Sequence, residues 1–373
     1  MAFTSTTSAA SLLLERDARR IARHAAAAER AGWLHPAQRA LIHRRGWLRM
    51  LAPSALGGAE MALPDVVRLE EALARVDGSM GWTVTLCAGA GWFAGFLPPA
   101  LARQVLATPR ACLAGSGAPT GIAEREGDGW RIDGHWDYAS GAPMATHFTF
   151  NAILREGGRP LPDDAGQPRV QAFVVPAELV EVQPNWNTIG LRATASHGYR
   201  VRDRWIGAGH GFEIDPARAR EQGPLYRFPF LAFAFVTLAA NVAGMGAHFV
   251  ELAGECIGRR RHRFGVPGEM LAAVPAVRAA LELAGAGLAT ARARFYAALD
   301  AAWARVLVDG HVDAATADGL QALSMDWVNA ARRAVDSLTP YCGLQAMRAD
   351  SEINRVWRDF HTASQHALLA PLG

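Results

Sequence analysis

The C-terminal stretch RVWRDFHTASQHALLAPLG carries two imidazoles, His361 and His366, and has no carboxylate after Asp359. A carboxylate in such a place could take a carbon-bound proton; a neutral imidazole is suited to donating or accepting a hydrogen bond near neutral pH. Two other stretches present hydroxyls: HWDYASG, with Trp136, Ser140 and Gly141, and GLRATAS, with Arg192, Thr194 and Ser196. By residue type alone these read as strand-connecting turns with a core tryptophan as readily as ligand contacts. Gly141 would let a backbone approach closely. The run RRRHR contains Arg263, whose forked donors suit a phosphate, although such runs usually form a solvated face.

Other chemistries lack their residues. No GxGxxG follows a strand and no GxxxxGK[ST] occurs, so neither a dinucleotide-binding βαβ unit nor a P-loop is present in the pattern. Cys87, Cys112, Cys256 and Cys342 are scattered without a CxxC pair, which argues against a zinc site or a disulfide framework; no metal site is expected, and a cytoplasmic setting is. A formal charge of +3 over 373 residues, with tryptophans in apolar contexts, does not suggest nucleic acid. The N-terminus lacks the basic and apolar blocks of a secretion signal. Phe228 to Val250 is apolar over a bilayer's length, yet Pro229, Asn241 and its amphipathic neighbours point to a helix buried in a bundle, not in a membrane.

The elements that must position these residues fall into three blocks. Apolar residues recur at helical spacing from about Leu12 to Val105, as in LPDVVRLEEALARVD. Between Cys112 and Phe212 the texture becomes short alternating runs, WRIDGHWDY, HFTFNAIL, VQAFVV and YRVRDRWI, separated by Gly, Pro and Asp clusters, and predicts an antiparallel sheet. From about Pro224 onward Ala- and Leu-rich helical segments return. This order is α+β, with an N-terminal helical domain at 1–110, a β-domain at 111–213 and a C-terminal helical bundle at 214–373.

Five stretches in order then resemble the acyl-CoA dehydrogenase superfamily: LGGAEMALPDVVRLEEALARVDGSMGW, GWRIDGHWDYASGAPMATHF, NTIGLRATASHGYRVRDRWI, RRRHRFGVP and INRVWRDFHTASQH. The resemblance implies that superfamily's fold. It leaves the function open between flavin dehydrogenases of acyl thioesters and flavin monooxygenases fed with reduced flavin. The dehydrogenases place a catalytic Glu either near position 367, where Ala367 stands, or on the helix that opens the bundle; no acid occurs from 360 to 373 or from 222 to 250. HWDYASG, GLRATAS and RDFHTASQH are instead similar to motifs of the two-component flavin hydroxylases, with Tyr138 where Phe is usual and Ala193 and Ala195 where Gly is usual.

On this resemblance His366 and Ser140 are the expected catalytic residues, the imidazole orienting substrate and the peroxide that reduced flavin and dioxygen form. Trp136, Ser140, Gly141, Arg192, Thr194, Ser196 and Arg263 are the expected flavin contacts, and Trp82 and His361 are expected to line the substrate. Arg358 and Asp359 read as structural. The implied cofactor is reduced flavin, FMN or FAD, with O2 as co-substrate. The implied partners are a small aromatic or heteroatom-bearing substrate, a separate NAD(P)H:flavin reductase and further copies in a homotetramer. An acyl-CoA dehydrogenase with a displaced base and a catalytically silent flavin-binding homologue are the alternatives.

Overall fold

The computed structural model describes residues 12–370 apart from 264, 266 and 267. Helix α1 (Glu15–Ala31) has Glu15 and Asp17 in its first turn, where carboxylates meet the positive end of the helix dipole, and ends at Gly32, whose φ of 72° suits glycine. Helix α2 (Pro36–Arg45) starts at a proline behind a His35/Gln38 capping box. Helices α3 (Leu63–Val76) and α4 (Gly78–Trp92) meet at Asp77, whose carboxylate caps α4 by accepting from the Ser79 and Met80 N–H groups. A short α5 (Pro99–Val105) leads into the sheet.

The sheet comprises β1 (Leu113–Glu126), β2 (Gly129–Ala139), β3 (His147–Glu156), β4 (Arg159–Pro160), β5 (Val170–Pro176), β6 (Glu181–Gln183), β7 (His197–Gly207) and β8 (Gly211–Phe212). The spatial order is β6-β7-β2-β1-β3-β5-β8, with β4 on β3. The expectation of an antiparallel sheet needs one correction, because β1 and β3 run parallel. The cause is connectivity: β2 folds back on β1 as a hairpin, and β3 reverses again but lies along the far edge of β1. The segment 140–146 must therefore cross the end of the sheet, and Ser140 and Gly141 open that crossing.

The bundle follows as α6 (Phe230–Gly258), α7 (Pro275–Asp309), α8 (Ala314–Cys342) and α9 (Glu352–Ala363). Helix α6 is long and apolar enough to cross a membrane, with a mean hydropathy of 1.8, but 72% of that window is buried. Its small residues allow the closeness: a Cβ on Gly244 would stand 2.5 Å from the Glu71 carbonyl oxygen of α3, and one on Gly246 would stand 2.9 Å from the Ala331 Cβ of α8. A single apolar core runs from the N-terminal helices through α6 to α9, and a separate one fills the sheet around Trp136, Phe148, Phe150, Phe173 and Tyr199.

Candidate active site

Three hydroxyls from the crossing and from the connection before β7 meet below α4. Ser140 Oγ lies 2.8 Å from Ser196 Oγ, which lies 2.7 Å from Thr194 Oγ1, and Thr194 Oγ1 donates to the Leu191 carbonyl at 2.8 Å. At the other end the indole Nε1–H of Trp82 on α4 donates to Ser140 Oγ at 3.2 Å. All four side chains are buried, Ser140 to 5% exposure. Backbone joins the two stretches as well, since the Gly141 N–H donates to the Thr194 carbonyl at 2.8 Å.

Local strain aims these groups. The β2–β7 ladder slips between Trp136 and Ala139, where Tyr138 takes a φ of 70°, so the chain bulges and turns Ser140 inward. Gly141 has a φ of 76°, and a Cβ there would meet Cys87 Sγ at 2.8 Å. Leu191 and Ala195, on either side of the Arg192–Thr194 turn, are also left-handed, with φ of 51° and 45°. Non-glycine residues hold such angles only where their surroundings over-determine them.

The surroundings are a clamp from α9. Arg358 Nη1 donates to the Ile189 carbonyl at 2.6 Å, and the Leu191 N–H donates to Asp359 Oδ1 at 2.5 Å, so adjacent side chains grip the backbone on both sides of Gly190. Only glycine fits between, because a Cβ on Gly190 would stand 2.0 Å from the Arg358 carbonyl oxygen. Arg358 is itself paired with Glu29 of α1 and bonded to Asn354. Burial pushes the Asp359 carboxyl up to about 7; Asp77 and Glu29 add to the rise, while the Leu191 N–H and Arg355 oppose it. The Leu191 carbonyl is equally occupied, accepting from Thr194 N, Thr194 Oγ1 and Trp186 Nε1.

His366 stands edge-on to Trp82, with ring centroids 5.9 Å apart. Helix α9 ends at Ala363, so His366 does not ride on it; it caps the turn Ala367–Leu369, its Nδ1 accepting from the Leu368 N–H at 3.3 Å. Arg332 of α8 fixes that turn by donating to the carbonyls of Ser364 and Leu369, each at 2.8 Å. Burial lowers the pKa of His366, so the ring is neutral at pH 7. With Nδ1 accepting, the proton sits on Nε2.

Trp82, Ser140, Gly141, Thr194, Ser196 and His366 are thus brought together, and Arg192 lies on the same turn, exposed, its side chain without a hydrogen bond or ion pair among the described residues. Three expected residues lie elsewhere. Trp136 is 1% exposed in the sheet's own core, stacked on Tyr199, tilted against Phe150 and bonded to the Asn151 carbonyl, so it has no face to offer a ligand. His361 points to α8, 3.7 Å from Asp336, and packs on Trp357. Arg263 is exposed in the loop between α6 and α7, without a hydrogen bond or ion pair among the described residues. Sequence reasoning missed Leu191, Gly190, Asp359 and Arg332. For the first three the signal was Arg358-Asp359, which α9 aims at one loop; Arg332 had no local pattern. Among the described residues, no group of His, Cys, Asp and Glu could hold a metal.

Comparison with known proteins agrees with this fold. Residues 236–371 match the family model described as "Acyl-CoA dehydrogenase, C-terminal domain". The chain is 28% identical to the indole-3-acetate monooxygenase of Pseudomonas putida over 87% of this chain and 81% of that protein. It is 26% identical to the "FADH(2)-dependent resorcinol hydroxylase, oxygenase component" of Rhizobium sp. (strain MTP-10005), over 86% and 81%. The crystal structure of the HsaA monooxygenase from M. tuberculosis superposes with a TM-score of 0.86 at 21% identity, covering 98% of this chain and 94% of that one.

Proposed function

We propose that the chain, whose residues 236–371 match the C-terminal domain of acyl-CoA dehydrogenases, is the oxygenase component of a two-component monooxygenase, which takes reduced flavin from a separate reductase and hydroxylates a small aromatic or heteroatom-bearing compound. The observation that carries this reading is the cluster of Trp82, Ser140, Ser196, Thr194 and neutral His366, none of whose side chains bonds a carboxylate. An acyl thioester dehydrogenase needs such a base.

The cluster fits a flavin. A buried hydroxyl chain can meet the polar edge of the isoalloxazine, and Trp82 sets an apolar indole beside it. Exposed Arg192, on the same turn, has its guanidinium unengaged and is suited to a phosphate. When bound, reduced flavin supplies the two electrons that let one oxygen atom of O2 enter the substrate while the other leaves as water. The chain's own residues do the rest. Ser140 and Gly141 place the ring, Trp82 excludes water, and the Nε2–H of His366 holds a substrate oxygen or nitrogen by a hydrogen bond without removing a carbon-bound proton.

Assembly into a tetramer and a cytoplasmic setting belong to the same proposal. Helix α7 buries one stripe, Val277, Ala284, Leu288, Phe295, Leu299, Ala302 and Val306, and exposes Leu283, Leu307 and Val308, an arrangement suited to a second copy. The four cysteines are free. The test of function is anaerobic loading with photoreduced FMN or FAD, then mixing with oxygenated buffer and a panel of indoles and phenols, reading hydroxylated product and hydrogen peroxide. Product formation with one of them supports the proposal. Bleaching of bound oxidised flavin by an acyl-CoA, with no product from the panel, would replace it by the dehydrogenase reading.

A further inference from the structure

The first two helices differ in charge from the rest of the chain. Residues 12–50 hold nine arginines against three acids, a net +6 where the whole chain totals +3, so the remainder carries a net −3. All three acids are engaged: Glu15 by Arg19, Asp17 by Arg45 and Glu29 by Arg358. The side chains of Arg16, Arg20, Arg23 and Arg30 on α1 have no hydrogen bond or ion pair among the described residues. At 3.6 residues per turn these four fall on one side of the helix, opposite the buried Ile21, Ala25 and Ala28. Like charges three or four residues apart oppose helix formation, so the row weakens α1 rather than supporting it.

Arg16, Arg19, Arg20, Arg23 and His24 line a shallow depression on this face. Burial, then His35, Arg23 and Arg20, lower the His24 pKa, so at pH 7 the charge there is that of the arginines. Between Arg16 and Arg30 the helix exposes no large apolar side chain, so the face offers charge to an anion and no anchor to a protein partner. The row also has a destination. Helix α1 packs against the turn Arg192–Thr194, and Glu29, next to Arg30, pairs with Arg358 of the clamp that holds the approach to that turn. Exposed Arg192 stands on the turn itself. A helix of 17 residues is about 25 Å long, so the row carries positive potential well past the ~8–10 Å over which salt screens a single charge.

We propose that this face of α1 is a steering surface for phosphate-bearing flavin: Arg16, Arg20, Arg23 and Arg30 attract the phosphate of FMN or FAD and raise the rate at which the cofactor reaches the site. This rests on the flavin reading above and adds to it a route of capture. Reduced flavin in transit from a separate reductase is exposed to dissolved oxygen, and a faster encounter shortens that exposure.

The experiment is anaerobic stopped-flow mixing of the full chain with reduced FMN, FAD or riboflavin, read by quenching of tryptophan fluorescence. Riboflavin has the same ring and no phosphate. In low salt, changing Arg16, Arg20, Arg23 and Arg30 together to Gln should slow association of FMN and FAD on the order of tenfold, leave dissociation unchanged and barely affect riboflavin. In about 1 M salt, where the screening length is ~3 Å, parent and variant should converge. Changing the same four to Lys, which keeps the charge, should keep the parent's rate. The double variant Arg16→Gln/Arg20→Gln, expected to slow association about threefold, stands in if the fourfold variant does not fold. A Gln variant that captures FMN and FAD as fast as the parent, an equal slowing of riboflavin, or a loss confined to dissociation overturns the steering and leaves the flavin reading intact. A parent that binds none of the three flavins overturns that reading and the steering with it.

Discussion

Glu70 gives the sharpest test of how the helices that carry Trp82 are held. It lies on α3, fully buried, and neither carboxyl oxygen has a hydrogen-bond partner. Across the interface Asn241 of α6 donates to Thr85 of α4 at 3.0 Å, and the Asn241 side-chain oxygen is also unpartnered. Burial raises the Glu70 pKa from 4.5 to about 8, against a small opposing influence of Thr85, so the side chain is an uncharged acid at pH 7. The sign follows directly. A carboxyl that holds its proton more tightly when folded contributes stability below pH 4.5, loses it as pH rises from 4.5 to about 8, and contributes a constant penalty above that. The slope in this window is about 1.4 kcal/mol per pH unit, and the whole change is on the order of 5 kcal/mol. Glu70→Gln keeps the shape and removes the titration. Thermal midpoints of parent and variant, measured at pH 5.5, 6.5 and 7.5 at equal protein concentration, should diverge in favour of the variant by about 2 °C per pH unit. Parallel curves would refute the argument, because they would mean that Glu70 reaches water or a partner and ionises normally.

The clamp and the tail should respond separately. Gly190→Ala forces a methyl into the Arg358 carbonyl and should lower stability by about 1–3 kcal/mol in chemical denaturation while weakening flavin binding at least tenfold; unchanged flavin affinity would separate the loop from the site. His366→Phe keeps an aromatic ring against Trp82 but has no Nε2–H, so flavin affinity should hold while hydroxylated product falls and hydrogen peroxide per flavin oxidised rises. Arg332→Met should shift the same product-to-peroxide ratio by releasing the Ser364 and Leu369 carbonyls that bracket His366. If Arg332→Met leaves that ratio alone, the turn holds His366 without it.

Much of the fold could be read from periodicity, and the exceptions share a cause. The strands named from alternation all exist, as β2, β3, β5 and β7. Of the four that escaped, β4, β6 and β8 are two or three residues long, and the long one is β1, LAGSGAPTGIAERE, whose glycines hide the alternation. They are there because neighbours fill the space. A Cβ on Gly115 would stand 2.1 Å from the Thr149 carbonyl oxygen, and one on Gly121 would stand 2.0 Å from the Trp136 ring, while the register slips between Ser116 and Gly121. Trp136 was misjudged for the same reason: the space its ring needs is cleared by Gly121 and Gly134, residues distant from it in the ladder or silent in the pattern. His361 and His366 could not be told apart by helical spacing because the helix stops between them, and what separates their surroundings is Asp336 for one and Trp82 for the other.

At the site, residue types were legible and their roles were not. Ser140, Thr194 and Ser196 are ordinary turn residues until the crossing after β2 and the turn before β7 are pressed together. What presses them is Arg358-Asp359, a pair whose charges suggest a mutual surface ion pair and which instead grips two backbone groups around Gly190, with Arg358 also paired to Glu29. An ionisable side chain costs a good deal to bury, and Asp359 shows that cost in its raised pKa. An apolar residue could fill the volume, but it would not accept from the Leu191 N–H and so hold that left-handed residue, whose carbonyl accepts from Thr194. The buried acid of α9 therefore acts through the backbone: by holding Leu191 it fixes the turn that brings Thr194 and Ser196 against Ser140.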